Sequence, residues 1–290
     1  MFTDFEELRL DVGDAEIYLK RSGDGPPLLL LHGFPQTHVS WHKIAPRLAE
    51  EYTVIVPDLR GYGRSVGPSE PNAADYTHRR MAEDMVAVMD ELGFDEYDVV
   101  GHDRGARVGY RYALDHPDRV RSLAVLDVVP TLETAERMDY ESAKGRYHWL
   151  FLAQPNPIPE TLITNASDFY VEHLIESWSD SADDLDPDAV EAYREAYRNE
   201  SVVRASCEDY RAGLSLDLEH DRATREAGET IDCPLLVLWG AVRDRDSIDI
   251  LDVWDPWASD MRGGSLPCGH FVMEEAPEET LAELRSFLKR

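Results

Sequence analysis

In Gly101-His102-Asp103-Arg104-Gly105, a carboxylate stands between two glycines, and that placement implies chemistry. The apolar run Tyr97-Asp98-Val99-Val100 leads in and a helix-forming stretch from Arg104 to Leu114 leads out, so Asp103 is expected at a sharp strand-to-helix turn that exposes its side chain. Glycine on either side suits such a reversal, where a Cβ would crowd the backbone. A carboxylate needs no base to attack carbon. It displaces a leaving group and becomes an alkyl ester, which water must then cleave. His270, beyond Pro267-Cys268-Gly269, is the candidate to take a proton from that water. The acid that would orient this imidazole has two possible sources. Asp127 ends the run Ser122-Leu123-Ala124-Val125-Leu126, whereas Asp244 and Asp246 follow Leu238-Trp239-Gly240.

The surrounding residues specify the substrate side. Arg104 and Arg107, spaced i, i+3, share one face at the first turn of the helix after Asp103, where the helix dipole already favours an anion. Two guanidinium forks there can clamp a small carboxylate and set its α-carbon against Asp103. The backbone N–H groups of Phe34 and Arg104 are the candidate oxyanion donors when water attacks the ester. In His32-Gly33-Phe34-Pro35, His32 and Gly33 then shape the loop and have no chemical role.

These residues need a scaffold, and apolar runs supply it. Phe5 to Val12 and Ala15 to Arg21 read as short strands about a turn at Asp11-Val12-Gly13-Asp14. Leu28-Leu29-Leu30-Leu31 and Tyr52-Thr53-Val54-Ile55-Val56 have the continuous hydrophobicity of strands buried on both faces. Ser40 to Glu50 and Tyr76 to Leu92 read as helices, Pro234 to Gly240 and Gly264 to Pro267 as later strands, and Pro277 to Leu288 as a closing helix. This alternation predicts an α/β fold with a mostly parallel sheet of eight strands, helices on both faces. From Leu132 to Ala227 the alternation stops, and aromatic-rich helical segments are divided by Pro and Asp clusters such as Asp183-Asp184-Leu185-Asp186-Pro187-Asp188. We read residues 132–227 as a helical cap inserted after the sixth strand, and 1–131 with 228–290 as the core.

Composition narrows the function classes. Asp and Glu number 58 against 29 Lys and Arg, a net charge of −29 that makes nucleic acid and anionic membranes unsuitable partners. Lysine occurs only at Lys20, Lys43, Lys144 and Lys289. So acidic and lysine-poor a surface fits a cytoplasm near molar in salt, where charges are screened beyond about 3 Å. No apolar run approaches a membrane span, and the acidic start Met1-Phe2-Thr3-Asp4-Phe5-Glu6-Glu7 is unlike a signal peptide, so we expect a soluble, cytoplasmic protein of a halophilic cell. Cys207, Cys233 and Cys268 lack C-x-x-C spacing, which points to free thiols and to no metal site.

Taken together, His32-Gly33-Phe34-Pro35, Asp58-Leu59-Arg60-Gly61-Tyr62-Gly63, Gly101-His102-Asp103-Arg104-Gly105-Ala106-Arg107 and Gly269-His270-Phe271 resemble the α/β-hydrolase fold along nearly the whole chain. Aspartate at the turn is similar to the branch of dehalogenases and epoxide hydrolases. Asp103-Arg104-Gly105-Ala106-Arg107 with His148-Trp149 resembles the fluoroacetate (haloacetate) dehalogenases. That resemblance implies Asp127 as the acid paired with His270, His148, Trp149 and Tyr210 as halide-binding donors, and Trp178 as a wall of the pocket. It also implies a 2-halocarboxylate and water as reactants, no cofactor, and a homodimer. Haloalkane dehalogenases and many epoxide hydrolases resemble one another in having Trp after the nucleophile, and Arg104 there points to a carboxylate substrate instead. Two alternatives stay open. An epoxide hydrolase would use the same Asp and His with tyrosines such as Tyr140, Tyr147, Tyr193, Tyr197 and Tyr210 as proton donors, and a ligand receptor would keep the fold without turnover.

Overall fold

The computed structural model describes residues 1–243 and 248–289. Among them, one eight-stranded sheet runs in the order β1-β2-β4-β3-β5-β6-β7-β8. β1 (Glu6–Asp11) and β2 (Glu16–Ser22) pair antiparallel at one edge, and β2 meets β4 antiparallel. From there β3 (Pro27–Leu31), β4 (Thr53–Pro57), β5 (Tyr97–His102), β6 (Val120–Leu126), β7 (Leu235–Gly240) and β8 (Met261–Leu266) are parallel. All four leucines of β3 are fully buried, yet they feed two different cores. Leu29 and Leu31 join one apolar cluster with Val99, and Leu28 and Leu30 join the other with Val100. Alternate residues of a strand point to opposite faces, so an unbroken apolar run is what a sheet covered on both sides demands. Each such leucine contributes about 1.5–3 kcal/mol.

Two helices carry the core side of the site. α1 (His78–Glu91) starts at Thr77, whose hydroxyl accepts from Arg80 N at 3.1 Å, and packs on α2 (Arg104–Asp115). The helix expected over Ser40 to Glu50 is instead a 3-10 turn, His38–Trp41, and a single helical turn, Ala45–Leu48. Pro46 explains the break, since without an N–H it cannot donate to the carbonyl of His42, and it stands instead in the first turn of the second segment.

The helical cap occupies the chain between β6 and β7. Its main elements are α3 (Thr131–Glu136), α4 (Tyr147–Leu152), α5 (Ser167–Trp178), α6 (Pro187–Tyr197), α7 (Glu200–Gly213) and α8 (Leu216–Ala227). The Asp/Pro cluster is where α6 begins, with Asp186 accepting from Asp188 N and Pro187 in the first turn. Asn199 caps α7 in the same way, accepting from Ser201 N. α9 (Pro277–Leu288) packs back on the core, and none of the described helices is long and apolar enough to cross a membrane.

Candidate active site

The turn between β5 and α2 is strained. Asp103 has φ 45° and ψ −115°, a conformation that costs a side-chain-bearing residue about 1–3 kcal/mol. Its neighbours make the turn feasible. A Cβ on Gly101 would lie 2.4 Å from the carbonyl oxygen of Gly105, and one on Gly105 would lie 2.4 Å from the carbonyl oxygens of both Leu31 and His32. The result is a carboxylate projecting beyond the sheet edge toward the groups expected to work with it.

Phe34 N–H donates to Asp103 Oδ1 at 3.0 Å, and His270 Nε2 faces Asp103 Oδ2 at 3.8 Å. Burial works to raise the Asp103 pKa, but His270, His102, Arg107 and the Phe34 N–H hold it well below the usual carboxylate range. Its carboxylate is therefore ionised throughout ordinary pH. Arg104 N begins α2, one of the N–H groups without an intrahelical acceptor.

Asp127 lies at the end of β6 with φ 57°, its backbone N–H donating to Leu238 O at 2.7 Å. Its Oδ1 accepts from Gly240 N at 2.9 Å, and its Oδ2 accepts from His270 Nδ1 at 2.5 Å. With Nδ1 the donor, His270 carries its lone pair on Nε2, facing Asp103. Asp244 and Asp246, the other source considered for this acid, lie outside the described residues.

A cavity of about 710 Å³ opens over these groups, and Asp103, Arg107, Asp127, His148, Trp149, Trp178 and His270 are among its lining. Trp178 crosses the His270 ring edge-on at a centroid distance of 5.4 Å, and its carbonyl oxygen accepts from His270 N at 2.9 Å. His148 stacks parallel to Phe34 at 6.3 Å and lies 4.5 Å from Trp178. Tyr210 packs edge-on against Phe34, His148 and Trp149, behind that lining, and its buried hydroxyl has no hydrogen-bond partner among the described residues. The cap thus brings His148, Trp149, Trp178 and Tyr210 together above the carboxyl ends of the strands.

A family model described as the alpha/beta hydrolase fold matches residues 26–277. The chain belongs to the α/β hydrolase family. A fluoroacetate dehalogenase of Burkholderia sp is 45% identical, the match covering 99% of this chain and 95% of that one. A soluble epoxide hydrolase of Corynebacterium sp. (strain C12) is 30% identical over 96% of this chain and 95% of its own. A solved structure from Nostoc sp PCC 7120, assigned to the α/β hydrolases, superposes with a TM-score of 0.97 at 48% identity, covering all of both chains.

In this α/β hydrolase the two arginines of the expected clamp have different surroundings. Arg104 Nε donates to Asp209 Oδ2 at 2.9 Å, and its Nη2 donates to the Asp209 carbonyl at 3.0 Å and to Oδ1. Its Nη1 is buried and has no hydrogen-bond partner among the described residues. Of the two guanidinium forks expected to clamp a carboxylate, the one on Arg104 thus already gives Nε and Nη2 to Asp209. Arg107 lines the cavity and lies over the Trp149 ring at 4.7 Å. Its Nη1 donates to Val129 O at 3.1 Å and to Thr131 Oγ1 at 3.0 Å, while its buried Nε has no partner among the described residues. Among the described residues no carboxylate lies within ion-pair distance of Arg107.

Two further residues of the site were not singled out from sequence. His102 Nε2 donates to the carbonyl of His270 at 2.9 Å, and burial draws its pKa down to about 3, so it is a neutral brace for the loop that carries His270. Its place beside Asp103 in the chain was the available signal. Asp209 had one too, since it directly precedes Tyr210, but a buried acid on a helix has no motif. His32, read as a shaping residue, accepts from Leu59 N at 3.0 Å.

Proposed function

We propose that this α/β hydrolase removes halide from small 2-halocarboxylates, fluoroacetate and its chloro and bromo analogues, through an ester on Asp103. Arg107 carries this reading: a buried cation lines the same cavity as the nucleophile and has no carboxylate of its own among the described residues. Such a cation calls for an anionic ligand. Its guanidinium, with Nη1 of Arg104, would hold the substrate carboxylate.

Phe34 N–H occupies Oδ1, so Oδ2 is the attacking oxygen. It bonds to the α-carbon as the carbon–halogen bond breaks, and the electron pair leaves with the halide. The N–H of Trp149, the Tyr210 hydroxyl and the His148 ring would receive that ion in place of water. Water then gives a proton to His270 Nε2 and attacks the ester carbonyl, whose oxygen already sits at Phe34 N–H, with Arg104 N–H as second donor. Collapse expels the α-oxygen, which takes the proton back from His270 to give the 2-hydroxy acid, and the remaining proton leaves to solvent as the Asp103 carboxylate is restored. Carbon inverts, and one Asp103 oxygen leaves in the product.

The epoxide-opening reading draws support from the Corynebacterium relative and the free hydroxyl of Tyr210. It needs tyrosines above Asp103. Tyr193 donates to Glu274 at 3.0 Å, Tyr197 bonds Ser206 at 2.8 Å, and Tyr140 is exposed, which leaves Tyr147 and Tyr210. An epoxide also gives Arg107 no partner.

The deciding experiment is halide release from fluoroacetate and chloroacetate, followed by one turnover in heavy-oxygen water. Label in Asp103 and none in the first product supports the ester route; label in the product directly refutes it. We also infer a homodimer in the cytoplasm of a salt-accumulating cell, from the family resemblance and the net charge of −29.

A further inference from the structure

Arg104 and Arg107 meet carboxylates in opposite ways. Arg104 is in direct contact with Asp209, whereas the hydrogen bonds of Arg107 lead to the buried Asp221 carboxylate through two hydroxyls. Arg107 and Tyr110 lie one turn apart on α2. Arg107 Nη1 donates to Thr131 Oγ1 at 3.0 Å, Thr131 Oγ1 lies 2.9 Å from Tyr110 Oη, and Tyr110 Oη lies 2.8 Å from Asp221 Oδ2. Thr131 opens the first cap helix, α3, and Asp221 sits on the last, α8. All four side chains are buried.

Hydrogen counting gives this chain a direction. An ionised carboxylate only accepts, so the single phenol hydrogen of Tyr110 goes to Asp221. The Thr131 hydroxyl must then donate to the Tyr110 oxygen, which also accepts from Thr131 N at 3.1 Å. Its own oxygen is left to accept from Arg107. Every link points from cation to carboxylate, the arrangement in which successive hydrogen bonds polarise one another. Burial pushes the Asp221 carboxyl up to about 6, and at pH 8 it is ionised, with Leu132 N donating at 3.1 Å and the Arg111 guanidinium forming an ion pair with it at 4.0 Å.

We propose that Asp221 is the remote counter-ion of Arg107, acting through Thr131 and Tyr110 as a positioning residue that orients the guanidinium while leaving its charge to a substrate carboxylate. A direct ion pair would occupy the fork, as it does at Arg104. The relay holds the cation at the point where chain passes from core to cap and keeps its free edge toward the cavity. This inference rests on the reading of Arg107 as a carboxylate ligand.

The test compares wild type, Tyr110→Phe, Asp221→Asn and the double variant at pH 8. Acetate is the probe, its Kd measured by calorimetry, alongside chloride release from chloroacetate. Each single variant should raise the acetate Kd and the KM for chloroacetate about tenfold while kcat changes less than about twofold. The double variant should be no worse than either single one, because both cut the same chain. Additive losses, or a fall in kcat with unchanged Kd, would overturn the relay. Thr131→Val repeats the measurement if Asp221→Asn does not fold. Wild type that binds acetate yet releases no halide would sink the dehalogenase reading, and the Kd comparison would still decide the relay.

Discussion

The carboxylate of Asp209 grips Arg104 across the seam between cap and core, accepting from Nε at 2.9 Å and from Nη2, while Tyr62 donates to the same carboxylate at 2.6 Å. Both partners are essentially excluded from water. Burial opposes charge on each, but the contact itself holds Arg104 protonated, above its already high pKa. Asp209→Asn removes the negative partner and leaves a buried guanidinium uncompensated, a change that costs about 3–5 kcal/mol. Urea unfolding should show a loss of that size. A loss below about 1 kcal/mol would mean that the pair behaves like an exposed one.

His270 should separate the two halves of the reaction. Its Nε2 lies 3.8 Å from Asp103 Oδ2, and on the proposed route it would act only when water attacks, so His270→Ala should still release one equivalent of halide per site and then stop. Steady turnover should fall by about 10²–10⁴. Mass spectrometry of the stalled enzyme should find a carboxymethyl group on the peptide containing Asp103. A stalled enzyme without that adduct would remove His270 from the hydrolytic half.

The elements around Asp103 were legible because local rules decide them. A four-leucine run can be satisfied only by a strand buried on both faces, and the Gly-x-Asp-x-Gly turn requires its glycines sterically. The partners of Arg104 were not legible. The i, i+3 spacing placed Arg104 and Arg107 on one face correctly, but Asp209 lies about a hundred residues further on, and nothing local in a helix announces which acid will cross a domain seam. The relay to Asp221 was hidden for the same reason, since Thr131, Tyr110 and Asp221 come from three helices. Ser40 to Glu50 misled in the other direction: its apolar spacing is helical, and Pro46 overrides it.

Glu274 gives a pH signature in stability. It is fully buried beside Gln36, which follows the Phe34 loop, and accepts from Tyr193 at 3.0 Å. Burial pushes its carboxyl up to about 8, against the contrary pull of Tyr193, Lys43 and Gln36. Between about pH 4.5 and 8 the unfolded chain loses this proton and the folded chain keeps it, so the folded state holds more protons and this group's contribution falls as pH rises. The slope is at most about 1.4 kcal/mol per pH unit. Glu274→Gln should remove it, so that the stability difference between wild type and variant declines from pH 5 to 8. A difference independent of pH would show that Glu274 is ionised in the folded protein throughout.

Net charge predicts a salt response of the opposite sign to that of a surface held by ion pairs. With −29 charges the folded chain repels itself, and raising KCl from about 0.1 M to 2 M shortens the screening length below about 3 Å. Relief of a few kcal/mol would raise Tm by about 10 °C. Thermal melts in the two buffers measure it. An unchanged Tm would mean that local pairs such as Arg198 with Asp168 already neutralise the surface, and the high-salt origin would lose its support.

Trp149 should distinguish the halides. Its ring carries Arg107 on one face at 4.7 Å and meets Tyr210 edge-on at 6.1 Å, so the indole seats the cation and, on the proposed reading, its N–H serves the halide. Trp149→Phe keeps an aromatic face for Arg107 and deletes only the donor. Fluoride leaves as a small, strongly hydrated ion and depends on every donor that replaces its water, whereas chloride spreads its charge over a larger volume. Losing one preorganised donor should therefore lower kcat on fluoroacetate by about 10²–10³, and on chloroacetate by less than about tenfold. KM should change little, because the carboxylate is held elsewhere. Equal losses on both substrates would place the halide away from Trp149, and a raised KM without loss of kcat would mean that the ring serves Arg107 alone.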